Sequence, residues 1–556
     1  MGIPSYYKKL CDSIHGLLLK NQPFCEYLLM DFNCLIYHCI RRPGMKAYPG
    51  HAGRAAWEQE LIKEVCSYTK SIVEYVKPTK GVFLAVDGVV PMAKIKQQRL
   101  RRFKSAWTAE MEESLGKPYK ESWDTNAITP GTEFMDTLTT ELEKLCGRMN
   151  GPRSEKSERS LGVQWAVSGI DQCGEGEQKL MKYLKGVTDP KHICVYGLDA
   201  DLIILSLMAT QWLPKDAHLY LFREVVEMGT VQYNSQKEEK YHYFDIHTLR
   251  KTLVGKSEFI KLYGEDSLLR DYCMAMSLLG NDFLPHSLTF KLKGSGHHQL
   301  LDMLKHMWKK GLLVKGSLDA TTIDPVCLAE CFAYLALKED EWMRHSILTK
   351  YKGSHRPFLA RGEGLESWEY NIQEWNASPA KQCDELMLFD LKAGGNLRPN
   401  WKEVYTNQYL GVTRNTVDYT TVLHNYVYGI RWISDYYHHS APSCWEWHYP
   451  WHVPPSWADL AALSQKQISS WLTKSPGPSS IQSLKPQEQL ACVLPLESWR
   501  LLRDKELQSI VNIAPHYWPK QFSLFTAGRT MMWECPALIP TITPSYLRTI
   551  RNLLRK

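Results

Sequence analysis

A chain of 556 residues with 44% hydrophobic, 23% charged and 11% aromatic residues is too apolar and too aromatic for a disordered protein. No run approaches the ~18 consecutive apolar residues of a membrane span, so the reading is of a protein with no membrane partner. The net charge of +7 suits a polyanionic partner without requiring one, and 15 scattered cysteines with no Cys-x-x-Cys pair read as reduced thiols of an intracellular protein.

The first half alternates short apolar runs with helical patterns. EYLLMDFNCLIYHC (Glu26–Cys39) opens as a buried strand, GVFLAVDG (Gly81–Gly88) is a second, and HICVYGLDADLIIL (His192–Leu205) a third. Helical stretches over Trp57–Val76 and Lys94–Met111 lie between them, which implies crossover connections and a mainly parallel sheet. Gly147–Leu161 reads as a polar surface loop and Gln236–Tyr241 as a shorter charged break. Further on, His297–Lys309 and Asp324–Leu337 look helical, Lys350–Pro399 irregular, and Tyr419–Pro455 unusually aromatic. Ser475–Ser483 reads as a flexible break, and the last segment, Pro486–Lys556, mixes helix with a Trp- and Pro-rich tail. The fold class that follows is α/β, with a helical, aromatic-rich second lobe. Residues 1–290 form the first domain and 291–556 the second.

Carboxylates recur where these elements end. Asp31 follows YLLM, Asp87 follows VFLAV, and Asp199 and Asp201 follow ICVYGL. Glu175 and Glu177 open a helix in GEGEQKLMKYL, and Asp282 follows an apolar helix ending at Gly280. Ligands of open α/β sheets sit outside the carboxyl ends of the strands. An isolated Asp there is more often a turn residue or helix cap. Gathered in one cleft, such acids would repel one another unless hard cations sat between them, which suits Mg²⁺ or Mn²⁺. Two such ions about 4 Å apart can support in-line attack on a phosphodiester.

Next to Asp87 lies the basic segment AKIKQQRLRRFKSA (Ala93–Ala106). On a helix Lys94, Gln98, Arg101 and Arg102 share one face, a donor set suited to a phosphate. Lys96, Arg99 and Lys104 point elsewhere and are expected to be solvated or to touch backbone phosphates.

These residues resemble the 5′→3′ exoribonucleases of the XRN family. The matching segments are MGIPSYY, the Asp31-Phe-Asn33 segment, AVDGVVPMAKIKQQRLRRFKSA, WDTNAITPGTEFM, GEGEQKLM, YGLDADLIIL and LLGNDFLPH; in the second half they are WKEVY, WEWHYPWHVPP, PQEQLACVLP and PHYWPKQF. The resemblance implies a PIN/flap-nuclease-like core that uses two Mg²⁺ ions, with Mn²⁺ as a substitute. It implies a substrate of single-stranded RNA with a 5′-monophosphate, degraded to mononucleotides. It makes Asp31, Asp87, Glu175, Glu177, Asp199, Asp201 and Asp282 the metal-binding catalytic acids. Lys94, Gln98, Arg101 and Arg102 become the 5′-phosphate pocket. The family's stacking histidine is replaced here by Tyr37, with His38 beside it, and Trp445 aligns with the second stacking aromatic. GEGEHK of the family reads GEGEQK, with Gln178 for the histidine. Trp432, Tyr436, Tyr437, Trp447, Tyr449 and Trp451 are expected in the core, and His438, His448 and His452 as structural histidines.

The expectation is a minimal catalytic core without the family's C-terminal extension domains, viral or reduced eukaryotic, and monomeric. It would act in RNA decay, in the cytoplasm rather than the nucleus, and in the host's cytoplasm if viral. The alternatives are a structure-specific flap-type DNA nuclease, for which no convincing helix-hairpin-helix element is seen, and a catalytically silent RNA-binding scaffold.

Overall fold

Alternating apolar runs and helices build one seven-stranded sheet. The computed structural model describes residues 6–151, 162–197, 199–227, 230–233, 239–392, 395–477 and 482–554. The strands are β1 (Leu18–Leu19), β2 (Tyr27–Asp31), β3 (Gly81–Ala85), β4 (Gln164–Ser168), β5 (His192–Tyr196), β6 (His218–Glu224) and β7 (Tyr241–Asp245). Their spatial order is β1-β7-β6-β5-β2-β3-β4. The run from β4 to β6 is parallel, and β7 pairs antiparallel with both β6 and β1. The order reverses between β5 and β2, which opens a crevice at their carboxyl ends.

Both faces of the sheet are covered, so β2 is apolar at consecutive positions rather than alternate ones. Leu28 and Met30 enter one core and Leu29 the other. The helices that matter for the site are α1 (Phe32–Ile40), α2 (Arg54–Val76), α3 (Met92–Ser114), α4 (Glu133–Asn150), α5 (Gly176–Lys185), α6 (Asp201–Ala209) and α7 (Glu265–Ala275). In the second half they are α8 (Pro325–Ser354), α9 (Ser367–Gln382), α10 (Val417–His439), α11 (Pro486–Val493) and α12 (Pro544–Leu554). Apart from the short strand pairs Val314–Lys315 with Thr322–Ile323 and Phe389–Asp390 with Asn396–Leu397, the described second half is helical or irregular.

Several expectations change. Lys350–Pro399 is not irregular throughout: α8 runs on to Ser354, and α9 is a full helix with Pro379 inside it. A capping box between Glu366 and Glu369 starts α9. The segment's Gly and Pro residues disguise that signal. Gly147–Asn150 is the last turn of α4 rather than loop, and residues 152–161 of that predicted loop lie outside the described residues. So do residues 1–5, 234–238 and 478–481, on which MGIPSYY and two predicted breaks partly fall.

Lys96 and Arg99 are not solvated. Arg99 is fully buried and donates to the carbonyls of Cys492 (2.8 Å), Pro540 (2.9 Å) and Tyr517. Lys96 donates to the carbonyls of Tyr449 and Trp451. The returning C-terminal segment covers this side of α3, a contact that no local pattern announces. All 15 cysteines are free thiols. Among the described residues no helix is long and apolar enough to cross a membrane.

Candidate active site

The loops leaving β2, β3, β4 and β5 open on the edge of the sheet where the strand order reverses. Asp31 ends β2 and occupies the N-cap position of α1, yet its side chain makes no capping bond. Glu175 does the same before α5. Both carboxylates are therefore left for the crevice instead of being spent on a helix terminus.

Asp87 lies two residues beyond β3 and is gripped by Asn33. The Asn33 amide donates to one Asp87 oxygen at 3.1 Å and accepts the Asp87 backbone N–H at 3.1 Å. The N–H of Gly176 donates to the other oxygen at 2.6 Å. A Cβ at Gly176 would stand 2.5 Å from an Asp31 oxygen and 2.8 Å from the Ala85 carbonyl. Only glycine lets α5 begin this close to the two carboxylates. Lys179, one turn on, donates to the carbonyls of Val86 and Gly169 at 2.7 Å each and fixes α5 to the ends of β3 and β4.

Asp201 opens α6 almost fully buried, and its Oδ1 has no hydrogen-bond partner among the described residues. Asp199 is half-buried and accepts the Ala200 N–H at 2.9 Å. Asp282 is delivered by a turn at Gly280 (φ +90°), stabilised by the Asn281 side chain, which accepts the N–H groups of Phe283 and Leu284 at 2.9 Å. Lys94 of α3 lies between the two sides. Its ammonium donates to Asp282 at 2.8 Å and pairs with Glu175. From the second half of the chain, the Tyr436 hydroxyl on α10 donates to Glu175 at 2.8 Å.

Burial, reinforced by Asp87 and Asp199, holds the Asp31 carboxyl well above its usual range. Burial raises Glu177 well above its range too, with Glu175 adding to it, and raises Asp201, with Asp282 and Asp199 adding to it. Glu175 is raised by burial, with Lys94 offsetting part of the effect. Asp282 goes the other way: burial alone would raise it, but the Lys94 charge outweighs that and holds it low. Burial would likewise lower Lys94, and Asp282 and Glu175 together keep it firmly protonated. Among the described residues, the Lys94 ammonium thus faces a surplus of buried carboxylates. This hard-oxygen donor set, with an orphaned Asp201 oxygen, fits a divalent cation such as Mg²⁺.

Another acidic group, His38, Glu224 and Glu239, brings its ligand atoms within 4.8 Å of one another. Its oxygens are largely engaged: Tyr68 and Tyr196 donate to Glu224 at 2.7 and 2.6 Å, and Arg42 donates to Glu239 at 3.0 Å. It reads as a buried structural network.

The predicted basic face is split. Gln98 and Arg102 are buried on the same face of α3 as Lys94, whereas Arg101 is exposed. Neither the Gln98 amide nor the Arg102 guanidinium has a hydrogen-bond or ion-pair partner among the described residues; Gln98 Oε1 and Arg102 Nη1 are buried and orphaned. Burial lowers Arg102 to about 10, and neighbouring Tyr37 offsets part of that. Tyr37 is half-buried on α1, and the Trp445 carbonyl accepts the Met92 N–H at the start of α3 (2.8 Å). Trp432, Tyr436, Tyr437, Trp447 and Tyr449 are buried as expected, and Trp451 is half-buried.

Comparison with known proteins decides the ancestry of this site. A family model described as the XRN 5′-3′ exonuclease N-terminus matches residues 1–225, and one described as the Xrn1 helical domain matches 395–554. The chain belongs to the XRN family. Similar curated proteins include 5′-3′ exoribonuclease 1 of Homo sapiens, 27% identical across 98% of this chain and 34% of the relative, and 5′-3′ exoribonuclease 1 of Saccharomyces cerevisiae, 25% identical across 100% of this chain and 43% of the relative. The 5′-3′ exoribonuclease 2 of Gallus gallus is 24% identical across 99% of this chain and 69% of the relative. The chain thus spans between a third and a half of the length of the human and yeast relatives. In this XRN chain the residues that sequence reasoning passed over are Asn33, Lys179, Asn281 and Tyr436. Asn33, two residues after Asp31, was open to notice; Tyr436 was not, because its partner is 261 residues away.

Proposed function

We propose that this XRN chain is a 5′→3′ exoribonuclease that removes mononucleotides from single-stranded RNA bearing a 5′-monophosphate. The observation that carries the reading is a buried guanidinium, Arg102, without a partner among the described residues, on the same helix as Lys94, whose ammonium meets more buried acids than it can neutralise. Asp31, Asp87, Glu175, Glu177, Asp199, Asp201 and Asp282 would hold two Mg²⁺ ions. Bound there, the ions would neutralise the scissile phosphate and make a water acidic enough to attack it. Lys94, Gln98 and Arg102, with Arg101 at the rim, bind the terminal phosphate and so set which bond faces the acids. The enclosure of this pocket disfavours a cap or triphosphate. Tyr37 and Trp445 stack the leading bases, and the second lobe, residues 291–556, narrows the opening left by the nuclease domain, residues 1–290, to one strand.

The test uses one 3′-labelled RNA with a 5′-monophosphate, triphosphate or hydroxyl, and a matched DNA, with Mg²⁺ and wild-type or Asp199→Ala protein. Loss of the monophosphorylated RNA alone, as mononucleotides and abolished by the substitution, is expected. Equal cutting of all ends, or internal fragments, would sink the phosphate-pocket assignment. Preferred cutting of DNA would favour a flap-type nuclease. Binding with no cleavage would leave a scaffold.

A further inference from the structure

On the side of α3 next to the phosphate pocket lies a cavity of about 680 Å³. It is bordered by Arg101 and Asp282, so it adjoins the acid site, and its far wall comes from residues 528–536. That volume falls within the ~300–1,000 Å³ of small-molecule sites.

Arg529 faces this cavity and is 8% exposed. Its guanidinium makes no hydrogen bond or ion pair among the described residues, and its Nε is a buried, orphaned donor. The nearest acids are already committed: Glu385 to Lys350 and the Gly528 N–H, Glu534 to Lys293 and Thr530. Lys104, across the cavity on α3, also lacks such a partner, and burial lowers its ammonium to about 8. A buried guanidinium whose neighbouring acids are hydrogen-bonded elsewhere is costly unless an anion completes it. The same walls carry the indoles of Trp375, Trp451 and Trp533, the last 46% exposed, which offer flat surfaces to a base. Cations and indoles around a volume of this size suit a nucleotide better than inorganic phosphate.

We infer that this cavity is a second nucleotide site, which takes up the nucleoside 5′-monophosphate released at the acids, its phosphate on Arg529 and Lys104 and its base against the indoles. This rests on the exonuclease reading above. Arg101, shared by the two sites, would hand the phosphate from one to the other.

The test titrates metal-free protein in EDTA with adenosine 5′-monophosphate, adenosine and inorganic phosphate, following heat or tryptophan fluorescence. An Arg102→Gln background removes binding in the phosphate pocket. Adenosine 5′-monophosphate is expected to bind that protein, with adenosine and phosphate weaker by about tenfold or more, and a second substitution, Arg529→Gln, is expected to weaken it by about tenfold, the worth of one charge-assisted contact. Lys104→Ala, at a half-buried position, serves if Arg529→Gln does not fold. Absence of nucleotide binding to Arg102→Gln, or binding indifferent to both Arg529 and Lys104, overturns the site. With 5′-labelled RNA and Mg²⁺, label should leave filter-bound wild-type protein more slowly than Arg529→Gln; equal rates would overturn the product as its source. Nucleotide binding in a protein without nuclease activity would overturn the exonuclease reading while the site stands.

Discussion

Replacing Lys94 by Met tests the electrostatics of the acid site and the proposed grip on the RNA end separately. Lys94 is 11% exposed in its side chain, and its partners Glu175 and Asp282 are 5% exposed. Removing one member of a buried pair costs ~3–5 kcal/mol, because the other charge stays uncompensated. For a 556-residue chain melting in one transition, an unfolding entropy of ~2.1 cal/mol/K per residue makes that a fall of about 3–4 °C in metal-free protein. Mg²⁺ should recover much of it by taking over the counter-charge. On RNA, a lost charge-assisted bond to the terminal phosphate is worth ~1.5–3 kcal/mol, or roughly 10–150-fold in single-turnover rate. That loss should fall on 5′-monophosphate RNA and spare 5′-hydroxyl RNA. Calorimetry in EDTA and quenched-flow on the two RNAs give both numbers. An unchanged melting temperature would refute the counter-charge role, and equal rate losses on both RNAs would refute the phosphate role.

The four raised carboxyls, Asp31, Glu175, Glu177 and Asp201, favour protonation in the folded state. Their contribution to stability is full below the ordinary carboxylate range and is lost as pH rises through the raised values. In EDTA the melting temperature should therefore fall as pH rises above the ordinary carboxylate range, with a shallower slope in Asp201→Asn and more recovery by Mg²⁺ at the higher pH; a slope unaltered by that substitution would count against the reasoning. Tyr436→Phe removes the hydroxyl on Glu175. It should weaken Mg²⁺ binding by about tenfold in calorimetric titration, and unchanged affinity would show that the contact does not orient a ligand. Arg99→Met orphans three carbonyls at ~1–3 kcal/mol each, so the melting temperature should drop by several degrees and the segment after Pro486 should become protease-sensitive; resistance equal to wild type would refute the tie.

The parallel strands and the acids at their ends were legible because both signals are local. An apolar run that ends in Asp needs no knowledge of the rest of the chain. Asp31 and Glu175 sit at helix N-caps, as the bland alternative holds, but neither makes the capping bond. The basic helix was half legible. Helical spacing grouped Lys94, Gln98, Arg101 and Arg102, but which cations are solvated depends on what packs against the helix. Arg99 is buried by residues 393, 418 and 441 positions away, which no window on α3 contains. Tyr436 was expected in the core and is there, yet its hydroxyl reaches Glu175, a contact that periodicity cannot distinguish from plain packing.

The tie between Arg99 and the Pro540 carbonyl has a consequence for synthesis. These partners are 441 residues apart. At ~5–20 residues per second a ribosome needs roughly 20–90 s to go from one to the other. Through that interval the helix carrying Lys94, Gln98 and Arg102 has emerged while its covering segment has not. The acids too await Tyr436, so a nascent chain holds an unfinished site close to the message being translated. The site is complete only once the segment up to Pro540 has emerged, so the order of synthesis itself sets when the acids and the basic helix can first work together.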